Sequence, residues 1–160
     1  MRLRAAATLL AALTTLAGCG GKLPQDVDEA RLTDAVSRAV GDPGTCLLIG
    51  EAGSGRVVFR YNTHMVCGRV LASCEAVGTR RLSDLLEATA VDRKPRRATC
   101  DNPADAARTI AWASGPVAGR ALAYAAVMDS ERAFPSRIMA ERIEAALASA
   151  GLSRAPAAAP

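Results

Sequence analysis

Cysteine is the residue type in this chain with the most chemistry to offer, because its thiol can be modified, oxidised to a disulfide or used as a metal ligand. The chain has five cysteines and a single histidine, His64. One cysteine, Cys19, lies near the start, and four lie in the body of the chain: Cys46, Cys67, Cys74 and Cys100. No two of them form a C-x-x-C pair, so the spacing typical of zinc sites is absent. We therefore expect no metal and no other cofactor.

Cys19 closes a segment that has the organisation of an export signal. Arg2 and Arg4 form a charged start, and an apolar run over residues 5–16 follows. That run has about twelve residues, whereas a membrane-spanning helix needs ~20 apolar residues. The segment therefore predicts export rather than a membrane span.

The tetrapeptide Leu16-Ala17-Gly18-Cys19 resembles the lipobox of bacterial lipoproteins. In that family the cysteine thiol takes a diacylglycerol, the chain is cut before the cysteine, and the new amino group is usually acylated. The resemblance covers residues 1–19 and implies that residues 1–18 are a signal peptide and that Cys19 is the lipidated first residue. A plain signal peptide with a chance cysteine is the alternative.

A lipid anchor at Cys19 would fix where the protein works. Two or more acyl chains hold a protein stably at a membrane, since each buried methylene contributes ~0.8 kcal/mol. The protein would then be a cell-envelope protein with the membrane as a partner. Gly20 follows the cysteine, which resembles the outer-membrane default of the family, facing the periplasm, if the source has two membranes.

Four cysteines in an exported domain favour two disulfides, for which three connectivities are possible. Cys67 and Cys74 would be ~10 Å apart along a helix, and further apart along a strand, so their pairing needs a turn between them. A predicted hairpin brings Cys46 near Tyr61 and therefore near Cys67. Among the three connectivities we favour Cys46 with Cys67 and Cys74 with Cys100.

Serine hydrolysis needs a base beside the nucleophile, and His64 is the only histidine that could serve. Ser54 lies in a glycine-rich turn, and Ser114 follows Trp112 in a predicted strand. We favour these ordinary turn and strand roles and predict no catalytic residue. The pattern of a phosphate-binding loop, G-x-x-x-x-G-K-[ST], is absent.

A basic segment contains four cationic residues: Arg93, Lys94, Arg96 and Arg97. Each such charge near an anionic membrane surface is worth ~1 kcal/mol. These residues are candidates for contact with anionic headgroups, and a solvated linker is the alternative.

The net charge of +4 does not indicate nucleic-acid binding. Arg2 and Arg4 belong to the predicted signal, so the mature chain is less basic than the whole sequence. Aromatic residues make up 3% of the chain, which argues against stacking on bases. We expect no nucleic-acid partner.

The elements that must position these residues follow in the order helix, hairpin, helices, hairpin, helix. We predict helices over residues 26–40, 80–91 and 135–150, a short helix that begins at Asn102, and strands over residues 45–50, 56–61, 109–113 and 121–128. Thr79 is the expected N-cap of the second helix, and residues 62–78 are ambiguous. This order favours an α+β fold, an antiparallel sheet built from two hairpins with the N- and C-terminal helices packed on it. One face of the strand over residues 121–128 is almost all alanine, and we expect the last helix to cover it.

The predicted domain organisation has four parts. Residues 1–18 are the signal peptide, residues 19–25 a lipidated tether, residues 26–152 a single α+β domain, and residues 153–160 a disordered Ala/Pro tail.

The order of elements also resembles the sheet domain of the penicillin-recognising serine enzymes, the class A β-lactamase-like group. Residues 55–62, Gly-Arg-Val-Val-Phe-Arg-Tyr-Asn, look like the second strand of that group. The catalytic Ser-x-x-Lys motif and the Lys-Thr-Gly motif are absent, so the resemblance does not imply the activity.

The function that these features favour is non-enzymatic. We predict a lipid-anchored, disulfide-stabilised cell-envelope lipoprotein that binds an envelope protein partner or assists in assembly. The alternative is a small envelope hydrolase acting on cell-wall or peptide substrate, with Ser114 or Ser54 as the nucleophile and His64 as the base.

Overall fold

A computed structural model describes residues 21–154. The predicted signal peptide, Cys19 and residues 155–160 of the predicted tail lie outside the described residues. The helices are α1 (Glu29–Val40), α2 (His64–Cys67), α3 (Leu82–Asp92) and α4 (Ser136–Ser149). The strands are β1 (Thr45–Glu51), β2 (Val57–Tyr61), β3 (Val70–Ala72), β4 (Thr79–Arg81), β5 (Arg96–Asn102), β6 (Asp105–Pro116) and β7 (Leu122–Ser130).

The centre of the fold is a five-stranded antiparallel sheet with the strand order β2-β1-β7-β6-β5. Strands β3 and β4 form a separate two-stranded ribbon. Helices α1 and α4 cover one face of the large sheet, and α3 covers the other. The predicted α+β class, with an antiparallel sheet and the terminal helices packed on one face, is confirmed.

Helix α1 forms as its sequence predicts. The side chain of Asp28 accepts a hydrogen bond from the backbone N–H of Arg31 at 3.0 Å, which caps the first turn. The apolar residues Leu32 and Val36 recur one turn apart and are fully buried against the sheet and α4. The helix ends at Val40, and the N–H of Gly41 bonds to the carbonyl of Ser37.

The helix on the alanine face of β7 is α3, so the expectation that the last helix covers it is wrong. Ala123 and Ala125 are fully buried in the same cluster as Leu82, Leu85 and Leu86 of α3. Helix α4 packs instead on the opposite face, where larger side chains such as Tyr124 and Met128 point. The small alanine face lets α3 lie close to the sheet.

The predicted helix at Asn102 is also wrong, because residues 103–104 are the turn of a hairpin between β5 and β6. The side chain of Asn102 accepts a hydrogen bond from the N–H of Ala104 at 2.9 Å. The same asparagine-to-backbone bond begins helices and turns, so the local sequence does not distinguish the two. The strand β5 that this hairpin adds was not predicted.

Residues 62–81, which we call the disulfide-bonded insert, connect β2 to α3. They contain the short helix α2 and the β3–β4 ribbon. Thr79 lies in β4 and is not the N-cap of α3, a position that Arg81 takes. The longest helix, α4, has 14 residues, and no helix within residues 21–154 is a candidate to cross a membrane.

Candidate functional site

Two disulfides attach the insert to the large sheet. Cys67 in α2 is bonded to Cys46 in β1, with a Cα–Cα distance of 5.2 Å. Cys74, after β3, is bonded to Cys100 in β5, with a Cα–Cα distance of 5.3 Å. These are the two pairs that the sequence favoured, and they hold the insert at two points along its length.

The insert carries most of the exposed large apolar side chains of the described residues. Met65 is 86% exposed, Val70 is 50% exposed, and Val77, at the tip of the ribbon, is fully exposed. The fourth such residue within residues 21–154 is Val91, on α3. Three of these four side chains belong to one short segment of the chain, and exposed apolar side chains that lie together are a feature of interaction sites.

Polar contacts fix the insert further. The indole Nε1 of Trp112, a residue 1% exposed, donates a 2.8 Å hydrogen bond to the carbonyl of Ala72. The guanidinium of Arg80 lies over the same ring, 5.9 Å from its centroid. Arg69, just before β3, forms an ion pair with Asp129 at the end of β7. The exposed apolar side chains therefore stand on a segment with little freedom to move.

Asp129 is the centre of a buried polar network at one end of the sheet. Its residue exposure is 0%. Its Oδ1 accepts hydrogen bonds from Arg108 Nε at 3.0 Å and from Asn102 Nδ2 at 3.1 Å. Arg69 Nη2 forms an ion pair with Oδ2, but the geometry of this contact is not that of a hydrogen bond. The network therefore joins β5, β6, β7 and the insert.

The charge state of Asp129 follows from these contacts. Burial acts to raise the pKa of the carboxyl, but the hydrogen bonds from Arg108 and Asn102 and the ion pair with Arg69 together outweigh it and lower the pKa. A carboxylate held ionised between two guanidiniums is a weak base, so this arrangement stabilises the fold rather than moves protons. The sequence pattern did not indicate that these four residues form a network. The only local signal was a charged residue at the end of an apolar strand.

Neither candidate nucleophile, Ser114 or Ser54, lies beside the candidate base His64. Ser114 is fully buried on β6, three strand spacings or about 14 Å from β2, and shares a 2.8 Å hydrogen bond with Thr89 of α3. Ser54 lies in the turn between β1 and β2, at the other end of that hairpin from His64. The ring of His64 is exposed and lies 2.7 Å from Arg60 Nη1. Within residues 21–154 no hydrogen bond joins His64 to either serine.

The four basic residues of the predicted anionic contact lie in different environments. Arg93 donates to the carbonyls of Leu122 and Arg120, at 2.6 and 3.2 Å. Arg96 pairs with Asp92. Lys94 and Arg97 are exposed. Arg97 also lies near a carboxylate, with its Nη2 3.7 Å from Glu144 Oε1. Contact of these four residues with anionic headgroups stays a prediction.

Within residues 21–154 no three His, Cys, Asp or Glu side chains are grouped as a metal site would need. No family model, curated protein or solved structure matches this chain.

Proposed function

We propose that this protein is a lipid-anchored cell-envelope lipoprotein whose disulfide-bonded insert binds an envelope protein partner. One observation carries the proposal. Of the four exposed large apolar side chains in residues 21–154, three lie on the insert, and two disulfides hold that insert in place.

The rigidity of the insert favours binding through its exposed apolar side chains. Association loses part of its free energy in ordering mobile side chains and loops, so a segment ordered in advance binds more tightly. The insert has only short elements of its own, with 4 residues in α2 and 3 in each ribbon strand. The two cross-links keep such a segment ordered in the absence of a partner.

The first described residues, which follow the predicted anchor, lie close to the sheet. Gly21 lies so close to β2 that an added Cβ would be 2.7 Å from Val58 Cγ1. Leu23, within the predicted tether, packs against the core. If Cys19 is lipidated, only a residue or two separate the anchor from the folded domain, which keeps the insert near the membrane.

The experiment is site-specific photocrosslinking in intact cells of the source. A photoreactive residue at Val77, the tip of the ribbon, should crosslink to one envelope protein. The matched control is the same residue at Val91, which is also exposed and apolar but lies on α3, outside the insert. Crosslinking of the same proteins from both positions, or of none from Val77, would contradict the proposal.

A further inference from the structure

A cleft of about 640 Å³ opens on the face of the sheet that α4 covers. Its floor is apolar and is formed mainly by Pro95, Pro116, Ala118 and Ala148, since Val117 and Leu147 line the cleft but are each only 1% exposed. Its rim includes Arg97 of β5, Glu144 of α4 and Arg154, which follows α4. The volume falls in the ~300–1,000 Å³ range of small-molecule sites, which combine apolar walls with a few placed charges.

Arg97 has hydrogen-bonding capacity to spare at this rim. Its Nη2 is 3.7 Å from Glu144 Oε1, longer than a hydrogen bond, and in the described part of the chain it donates none. Glu144 is instead directed at Tyr124, whose hydroxyl donates to the same Oε1 at 2.8 Å. Burial, with the Glu144 charge next, raises the pKa of Tyr124, so this donor keeps its proton. The guanidinium of Arg97 is therefore available to a ligand.

The other side of the rim has more positive charge than its carboxylate can balance. The backbone N–H of Arg154 bonds to the carbonyl of Ala118 at 2.9 Å, which fixes this residue at the cleft. Its guanidinium and that of Arg120 both pair with one carboxylate, Asp26. Arg93, nearby, donates only to carbonyls. An anion at the rim would find an excess of cations.

We propose that this cleft binds an anionic amphiphile, a molecule with one apolar chain and a phosphate or carboxylate head. The chain lies on the apolar floor formed mainly by Pro95, Pro116, Ala118 and Ala148. The head accepts hydrogen bonds from Arg97 and from the unshared donors of Arg154. A purely apolar peptide would cover the floor but leave the cationic rim unused. The site is separate from the insert and goes beyond the proposed function.

The test is calorimetric titration of the full chain carrying Cys19→Ala, so that no acyl chain at that residue competes. Three probes are used below their aggregation concentrations: dodecyl phosphate, dodecanol and inorganic phosphate. Dodecyl phosphate should bind with one-to-one stoichiometry and at least tenfold more tightly than dodecanol, and inorganic phosphate alone should bind much more weakly than either.

Two variants, each with a control, locate the site. Ala148→Phe fills the cleft from an exposed position on α4 and should abolish binding, whereas Ala145→Phe, exposed on the same helix but outside the cleft, should not. Arg97→Gln should weaken dodecyl phosphate binding about tenfold and leave dodecanol unchanged, because it removes a charge-assisted hydrogen bond to the head. Arg137→Gln, exposed outside the cleft, should have no effect.

Several results would overturn the proposal. Equal affinity for dodecyl phosphate and dodecanol would show that the charged residues of the rim do not contribute to binding. Unchanged binding in Ala148→Phe would place the ligand elsewhere, and uptake of an Ala/Pro peptide but of no amphiphile would make this a peptide site. Each of these outcomes is independent of the crosslinking at Val77, so the two proposals fail separately.

Discussion

Asp129 is a buried carboxylate that forms ion pairs with two guanidiniums, those of Arg69 and Arg108, at one end of the sheet. Replacing it with asparagine keeps the size but removes the carboxylate that pairs with Arg69 and Arg108, and leaves only the more distant charges of Asp42 and Asp105 near Arg108. The side chains of Arg69 and Arg108 are 38% and 32% exposed, so water offsets part of the loss. We expect Asp129→Asn to lower the free energy of unfolding by about 2–4 kcal/mol.

Urea denaturation at neutral pH measures this change. Glu131→Gln is the matched control, since it removes an exposed carboxylate two residues away and should change stability by less than ~0.5 kcal/mol. Equal stability of Asp129→Asn and wild type would mean that the network contributes nothing to the fold.

The stability of the domain should fall in acid, because the pKa is lowered in four of its carboxyl groups: Asp26, Glu51, Asp92 and Asp129. The pKa of Asp26 is lowered by its hydrogen bonds to Arg120 and then Arg154, and the pKa of Asp129 is lowered as well. Because both folded values lie below the ordinary value of 3.8, their stabilisation is complete above that pH and is lost as the pH falls through the folded values. We expect Tm to hold between pH ~7 and ~5 and to fall below pH ~4.

Circular dichroism across this pH range tests the expectation. The fall in Tm below pH ~4 should be smaller in Asp129→Asn, which has lost one of the carboxyl groups with a lowered pKa. A wild-type Tm that stays constant down to pH ~2, or a steeper fall in Asp129→Asn, would contradict the assignment.

Among the elements, β7 shows how small side chains set the distance between layers. Ala125 is fully buried between the sheet and α3. Gly50 lies on the neighbouring strand β1 and pairs with Ala123 of β7. An added Cβ at Gly50 would be 2.9 Å from Leu86 Cδ2, so α3 packs closely on this part of the sheet too. We expect Ala125→Leu to force α3 outward and to cost about 1–3 kcal/mol of stability, as overpacking does in other cores.

Thermal or urea denaturation of Ala125→Leu gives the magnitude. Ala121→Leu is the control, because Ala121 is exposed just before the same strand and has room for the larger side chain. A stable Ala125→Leu would show that α3 does not rest on this face.

The elements with strong periodicity or a tight turn could be predicted from the sequence, and those decided by distant contacts could not. Helix α1 and the β1–β2 hairpin carry their own signals, and the hairpin in turn indicated the Cys46–Cys67 pair. Residues 102–105 carry a signal that helices and turns share, and pairing with β6 decides it. For this reason β5 was not predicted. The helix that packs on the alanine face of β7 is also decided by contacts between distant segments, and α4 was predicted there instead of α3.

The candidate sites also divide into those that a local sequence pattern indicates and those that it does not. The cysteines were identified by count and spacing alone, which local sequence supplies. The Asp129 network joins residues from β5, β6, β7 and the insert, and the cleft lies between β5, β6 and α4. Both arise from positions far apart in the chain, so no local pattern could indicate them.

For the whole molecule, the folded domain and the predicted anchor should be separable. The described chain is already packed on the core at Leu23, and Asp26 is joined to Arg120 and Arg154 near the other end. Each of these contacts lies within residues 21–154, so we expect them to hold the fold when the lipid at Cys19 is lost. We expect Cys19→Ala to move the protein from the membrane fraction to the soluble fraction with no change in Tm.

Fractionation of source cells, followed by denaturation of the purified protein, tests both halves of this prediction. Gly20→Ala is the control, since it changes the neighbouring residue but keeps the thiol, and it should stay with the membrane. Retention in the membrane pellet of a Cys19→Ala chain that has lost residues 1–18 would contradict the anchor. Because two acyl chains bind a membrane stably whereas a few exposed apolar side chains do not, such retention would instead point to a membrane-bound partner on the insert.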